Sequence, residues 1–183
     1  MNKWERIQSV FLYGVFICYN LLLIKILFLS RVSIWELFDS QRSIMRSINL
    51  IPFYSISEFI SGGSANLKDF AFANVAGNIL IFIPVGGYLA LFKNKKNAAF
   101  NLLTIVIVSL LVEIIQGLLG IGTADIDDVI LNSLGGWIGI MGYKLLRFVL
   151  RDEMKAHVVI TILSAVVVLP AIYYYLFMIK MRF

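Results

Sequence analysis

The sequence predicts an all-α fold, a polytopic transmembrane helical bundle of about five spans. Three observations predict it. Of the 183 residues, 60% are hydrophobic and only 15% charged, with a mean hydropathy of +0.89, whereas a soluble domain sits near ~45–50% apolar and ~25% charged. The apolar residues gather into stretches long enough to cross hydrocarbon as helices, which takes roughly 20 residues each. The basic residues cluster at the ends of those stretches, where lipid headgroups lie and topology is set.

Residues 7–29, 72–92, 98–120, 128–148 and 157–179 are the five segments. The first carries Asn20 and Lys25 and lacks a small-residue exit, which predicts a retained span rather than a cleaved signal peptide. The second is interrupted by Asn74, Asn78, Pro84 and Gly86-Gly87, so it must face protein or water rather than lipid. The length suits one membrane domain over residues 1–183. A lone cysteine, Cys18, excludes an intrachain disulfide and a cysteine metal cluster, and the lone His157 sits at a segment edge as an interfacial residue. The net charge of +5 is distributed at segment ends, which argues against nucleic-acid binding.

The connections differ in charge. Lys93, Lys95 and Lys96 lie between segments two and three, and Arg147, Arg151 and Lys155 between four and five; between three and four stand only Asp125, Asp127 and Asp128. By the positive-inside rule the two basic turns are cytoplasmic. The amino terminus, with Lys3 and Arg6, is then cytoplasmic, and the acidic turn at residues 121–128 lies outside the membrane. The connection at residues 30–71 is also outside. In it Ile34, Leu37, Phe38, Ile44, Met45 and Ile48 follow helical spacing, which predicts an interfacial amphipathic helix with Trp35 at headgroup level. Pro52 breaks that helix before Phe53, so the following piece either lies on the surface or dips into the membrane as a re-entrant segment.

This topology brings polar residues of three segments toward one face. Asn74 and Asn78 stack at i, i+4 near the start of segment two. Glu113 and Gln116 share a face near the end of segment three; Asp125, Asp128 and Asn132 share one at the start of segment four. Asp125, Asp127 and Asp128 each suit a helix cap instead, Asp127 foremost. The two asparagines either join helices, an interaction of about 1 kcal/mol, or line a site. A carboxylate inside a span costs several kcal/mol unless paired, protonated or hydrated. A partner such as Lys25 or Arg46 makes Glu113 structural, whereas a water-filled site makes it functional. Gly135, Gly136, Gly139 and Gly142 continue segment four and predict close helix packing around a central helix.

Asn49-Leu50-Ile51-Pro52-Phe53, then Asn74 with Gly77-Asn78 through Phe82, Pro84 and Gly86, then Glu113-x-x-Gln116, Asp125-Ile126-Asp127-Asp128, Asn132, Gly135 and Gly136 occur in this order. In order and spacing the chain resembles the VanZ-like family of bacterial membrane proteins over roughly residues 49–143. The family takes its name from an accessory protein of glycopeptide (teicoplanin) resistance. Many relatives carry an arginine shortly before the acidic pair; here residues 120–123 supply none, and Arg42 or Arg46 would have to stand in.

Three uses are open to such a site. An outward-facing acidic and amide-rich pocket, formed by Asn49, Pro52, Phe53, Asn74, Asn78, Glu113, Gln116, Asp125, Asp128 and Asn132, binds a lipid-linked cell-wall component or an amphiphilic glycopeptide. Alternatively Glu113, Asp125 and Asp128 hold Mg²⁺, Mn²⁺ or Ca²⁺, for which oxygen ligands are suited, or act as acid and base on a lipid-linked phosphate or glycan. As a third use, Glu113 lines a cation-coupled path, which with five spans requires a homo-oligomer. Binding ranks first, because no histidine stands near the site and no serine or cysteine nucleophile is evident.

Overall fold

In the computed structural model of the chain, residues 3–29, 32–37, 47–61, 65–92 and 97–173 are described. They form α1 (Lys3–Leu29), α2 (Ile34–Leu37), β1 (Ser47–Asn49), α3 (Tyr54–Ser61), α4 (Ala65–Phe92), α5 (Ala98–Leu119), β2 (Thr123–Asp125), α6 (Ile126–Leu150) and α7 (Glu153–Tyr173). Among the described residues, four stretches are long and apolar enough to cross a membrane: Arg6–Leu29, Ala71–Phe92, Ala98–Leu119 and Ile126–Leu150. The fifth expected segment is helical as α7, and its last residues, 174–179, lie outside the described residues. The all-α membrane bundle is therefore the observed fold class.

The chain divides into two compact units, residues 28–142 and residues 1–27 with 143–183. In the second of these, α1 buries Leu12, Val15, Tyr19 and Leu22, a stripe at three- and four-residue spacing, and leaves Val10, Phe11, Ile17, Leu21 and Ile24 exposed on its other side. Such an unpartnered apolar face suits lipid as its solvent. From α7 this unit buries Ala156, Thr161, Ser164 and Ala165, all of them small, which suits close helix approach.

The unit at residues 28–142 is built on backbone contact. A Cβ on Gly86 would stand 1.9 Å from the Gly136 carbonyl oxygen, one on Gly135 2.1 Å from that of Ile79, and one on Gly139 1.9 Å from that of Ile83. Rising numbers on α4 meet rising numbers on α6, so the two helices run parallel. On α5, Ile105 packs its side chain into the space that a Cβ on Gly136 would take, 2.5 Å away, and is itself 1% exposed. The outer side of α5 exposes Leu103, Ile107, Leu110, Leu111, Ile114 and Leu118, a face fit for hydrocarbon.

Three details depart from expectation. The helix α4 runs unbroken through Pro84 and begins at Ala65, seven residues before the expected start; its polar and glycine positions serve contacts with α6 rather than interrupting it. Ile48, assigned by spacing to an amphipathic helix, lies in β1, while only Ile34–Leu37 of that stretch is a described helix and Phe38, Ile44 and Met45 fall outside the described residues. β1 pairs in parallel with β2, Ser47 opposite Thr123, Ile48 opposite Ala124 and Asn49 opposite Asp125. Trp35 is exposed.

The glycine contacts predict a position-dependent cost. Gly135→Ala or Gly139→Ala should destabilise by about 1–3 kcal/mol, since a backbone carbonyl cannot rotate away. Gly142→Ala, with nothing within 4 Å of the added carbon, should be neutral or stabilising by up to about 1 kcal/mol through helix propensity. Thermal unfolding of the purified variants in detergent separates them, and equal melting of Gly135→Ala and Gly142→Ala would contradict the packing described.

Candidate functional site

The polar site forms where α5 stops and α6 starts. Gly120, at φ 59°, ends α5 in the left-handed conformation, and the Ile121 N–H donates to the Gln116 carbonyl at 3.1 Å. Glycine adopts this conformation without steric cost. The reversed chain then supplies β2, whose last residue, Asp125, is the N-cap of α6: its Oδ1 accepts the Asp127 N–H at 2.9 Å. The cap role expected of Asp127 thus belongs to Asp125.

Asp125 joins two further elements. Its backbone N–H donates to Glu113 Oε2 on α5 at 2.9 Å, and its Oδ2 accepts from Asn49 Nδ2 on β1 at 3.2 Å. Asn49 also turns the chain, its Oδ1 accepting the Ile51 N–H at 3.2 Å. At the far end of the strand pair the Ser47 and Thr123 hydroxyls share a hydrogen bond of 2.7 Å. Glu113 is 5% exposed, so burial of its carboxylate is offset by an N–H donor from the turn.

The next two carboxylates point elsewhere. Asp127, fully buried, accepts the Phe53 N–H at 2.5 Å, which ties the turn containing Pro52 to α6. Phe53 has φ 66° and its ring is exposed; a non-glycine residue in that region needs support from its surroundings, and the Asp127 carboxylate supplies it. Asp128 Oδ1 accepts from Asn78 Nδ2 at 2.5 Å and from Asn74 Nδ2 at 3.4 Å. One turn further, Asn132 is buried and donates to Ser109 Oγ at 2.9 Å.

The expected residues therefore form two adjoining groups, Asn49–Glu113–Asp125 and Asn74–Asn78–Asp128, with Asn132 beneath. Gln116 contributes its carbonyl to the end of α5. Pro52 and Phe53 stand on the exposed turn. Sequence reasoning missed the tether formed by Asp127, the Ser47–Thr123 pair and the role of Ser109. A buried hydroxyl at position 109, one turn before Glu113 on the same face, was the signal available for the last.

Beside the first group opens a groove of about 540 Å³, lined by Leu50, Leu110, Ile114, Leu118, Ile126 and Val129, among others, with Glu113 and Asp125 as its carboxylates. Apolar walls with a few convergent polar groups are the usual anatomy of a small-molecule site. Among the described residues no three His, Cys, Asp or Glu side chains are placed to hold a metal ion, and Glu113, Asp125 and Asp128 each receive N–H donors instead. Arg42 and Arg46 lie outside the described residues.

The Asp127 tether makes a direct prediction. Asp127→Ala should leave the Phe53 N–H without its acceptor, cost about 1–3 kcal/mol, and speed amide exchange at residues 51–54. Asp127→Asn, which keeps an acceptor oxygen, should stay close to the parent. Hydrogen exchange read by mass spectrometry tests both; unchanged exchange in Asp127→Ala would show that the tether does not hold the turn.

The VanZ/LLP1 family profile matches residues 16–147, a stretch that contains β1, both polar groups and the glycine contacts. Protein VanZ of Enterococcus faecium is 32% identical over 130 residues, covering 70% of this chain and 71% of that protein. No solved structure matches the chain. The extent of both sequence matches settles the relationship: the chain belongs to the VanZ/LLP1 family.

Proposed function

We propose that this protein acts in the bacterial plasma membrane by binding an amphiphile of the cell envelope, either a lipid-linked wall component or an acylated glycopeptide, and so contributes to glycopeptide resistance. The observation that carries the reading is the groove at the β1–β2 pair. Its walls are aliphatic and its carboxylates, Glu113 and Asp125, stand at the polar junction. An acyl chain suits the walls, at about 0.8 kcal/mol for each buried methylene. Ammonium and hydroxyl groups of the same ligand suit the carboxylates and the neighbouring Asn49, since ionised carboxylates accept only. Exposed Phe53 and Trp35 add aromatic surface at headgroup depth.

The absence of basic residues from the α5–α6 turn, against the lysines and arginines of the two turns on either side, supports an outward-facing site. There the ligand would be met from the extracellular leaflet. Sequestration changes the ligand's access to its target without any bond being broken, and no arrangement among the described residues favours catalysis over it.

The proposal is tested with the purified chain in lipid nanodiscs and a pair of glycopeptides, one acylated and one with its acyl chain removed. The acylated form should bind at least about tenfold more tightly, equivalent to ~1.4 kcal/mol. Val129→Trp, which fills the groove, should abolish that difference. Glu113→Gln with Asp125→Asn and Asp128→Asn should remove resistance from a susceptible host expressing the protein at parental level. Equal affinity for the two glycopeptides, or full resistance from the triple variant, would defeat the proposal.

A further inference from the structure

The unit formed by residues 1–27 and 143–183 holds a second, smaller cavity, of about 100 Å³. It lies between the opening turns of α1 and α7, lined by Gln8, Ser9, Leu12, Met154, His157 and Thr161, among others. Its walls are mixed. Two polar atoms, Gln8 Oε1 and His157 Nε2, are buried and have no hydrogen-bond partner among the described residues. The Thr161 hydroxyl is already committed, donating to the His157 carbonyl at 2.7 Å. Buried polar atoms left without partners are costly, about 1–3 kcal/mol each; Gln8 Oε1 accepts, and His157 Nε2 accepts in the tautomer protonated at Nδ1, so the cavity suits a ligand that brings hydroxyl groups. It exceeds the ~10–15 Å³ that a single water requires.

The surroundings select the charge of that ligand. Arg6 opens the apolar stretch of α1 two residues before Gln8. Arg151 and Lys155 flank the start of α7, and both are exposed. Three acidic residues are nearby. Asp152 caps α7, accepting the Met154 N–H at 2.9 Å, Glu153 pairs with Arg147, and Glu5 stands on the first turn of α1. Arg6, Arg147, Arg151 and Lys155 outnumber these three carboxylates by one, which leaves net positive charge for a further anion, and two helix amino termini add to it.

We propose that this cavity is a binding site for the headgroup of an anionic, hydroxyl-bearing phospholipid of the phosphatidylglycerol kind. The glycerol hydroxyls enter between Gln8 and His157, each donating to one acceptor, while the phosphate stays at the basic rim. The acyl chains continue along the exposed apolar face of α1, which carries Phe11 and Val10 at this level. Phosphatidylcholine offers the phosphate without the hydroxyls and adds a cationic group, and is excluded on both counts. The site is independent of the groove beside Glu113, and its failure would leave the ligand reading of that groove untouched.

Native mass spectrometry of the full chain, titrated with phosphatidylglycerol, phosphatidylcholine and soluble glycerol phosphate, tests the assignment. Phosphatidylglycerol should be retained preferentially and glycerol phosphate should not. Replacing Arg151 and Lys155 by Gln should weaken retention by about fivefold per charge, the size expected for a basic residue at an anionic surface. Gln8→Leu and His157→Phe, tested singly, should erase the preference over a zwitterionic lipid by removing the acceptors, whereas His157→Gln should preserve it. Monodisperse gel filtration of each variant accompanies the titration. Equal retention of the two lipids by the parent, or a preference that survives both Gln8→Leu and His157→Phe, would overturn the proposal.

Discussion

The unit at residues 28–142 depends on backbone-to-backbone contact between α4 and α6. Gly86 on one helix, with Gly135 and Gly139 on the other, lets carbonyl groups occupy the space where side chains would stand. In hydrocarbon no hydrophobic force brings helices together, because lipid is as apolar as leucine, and association rests on close van der Waals packing and interhelical hydrogen bonds. The same approach sets the spacing between Asn74, Asn78 and Asp128, for the hydrogen bonds among them require the third and fourth turns of α4 to neighbour the first turn of α6. Ile105 extends the arrangement to α5 by filling the remaining space at Gly136.

Above that contact, the start of α6 works as a junction. Three acidic residues within four positions would repel one another if they shared a direction, and they do not. Asp125 caps its own helix and reaches β1, Asp127 holds the turn at Phe53, and Asp128 meets the amides of α4. Each carboxylate finds N–H donors from a different piece of chain, and the amino-terminal end of the helix dipole favours all three. Glu113 adds a fourth from α5 by accepting the Asp125 N–H. This division holds the β1–β2 pair against the helices, and the groove lies beside that pair.

The two cavities differ in chemistry as their positions require. The groove beside Glu113 has aliphatic walls and carboxylates, whereas the small cavity between α1 and α7 has buried polar atoms, Gln8 Oε1 and His157 Nε2, without hydrogen-bond partners among the described residues.

By itself the sequence determined that this is a helical membrane protein, because apolar stretches of that length have no other stable home. It also stacked Asn74 on Asn78 by i, i+4 spacing, and both amides reach Asp128; the single face expected of Asp125, Asp128 and Asn132 is not observed, since they turn to β1, α4 and α5 respectively. Helix-terminus chemistry was only partly legible, since three adjacent acidic residues each satisfy the preference for an N-cap and their neighbours alone decide which does. Tertiary structure made Asp125 the cap and sent Asp127 to Phe53. It also created the β1–β2 pair, which joins residues 76 positions apart. Three-residue strands are too short to show an alternating pattern, and their pairing becomes favourable only once the turn after α5 has delivered Thr123–Asp125 to the waiting edge of Ser47–Asn49.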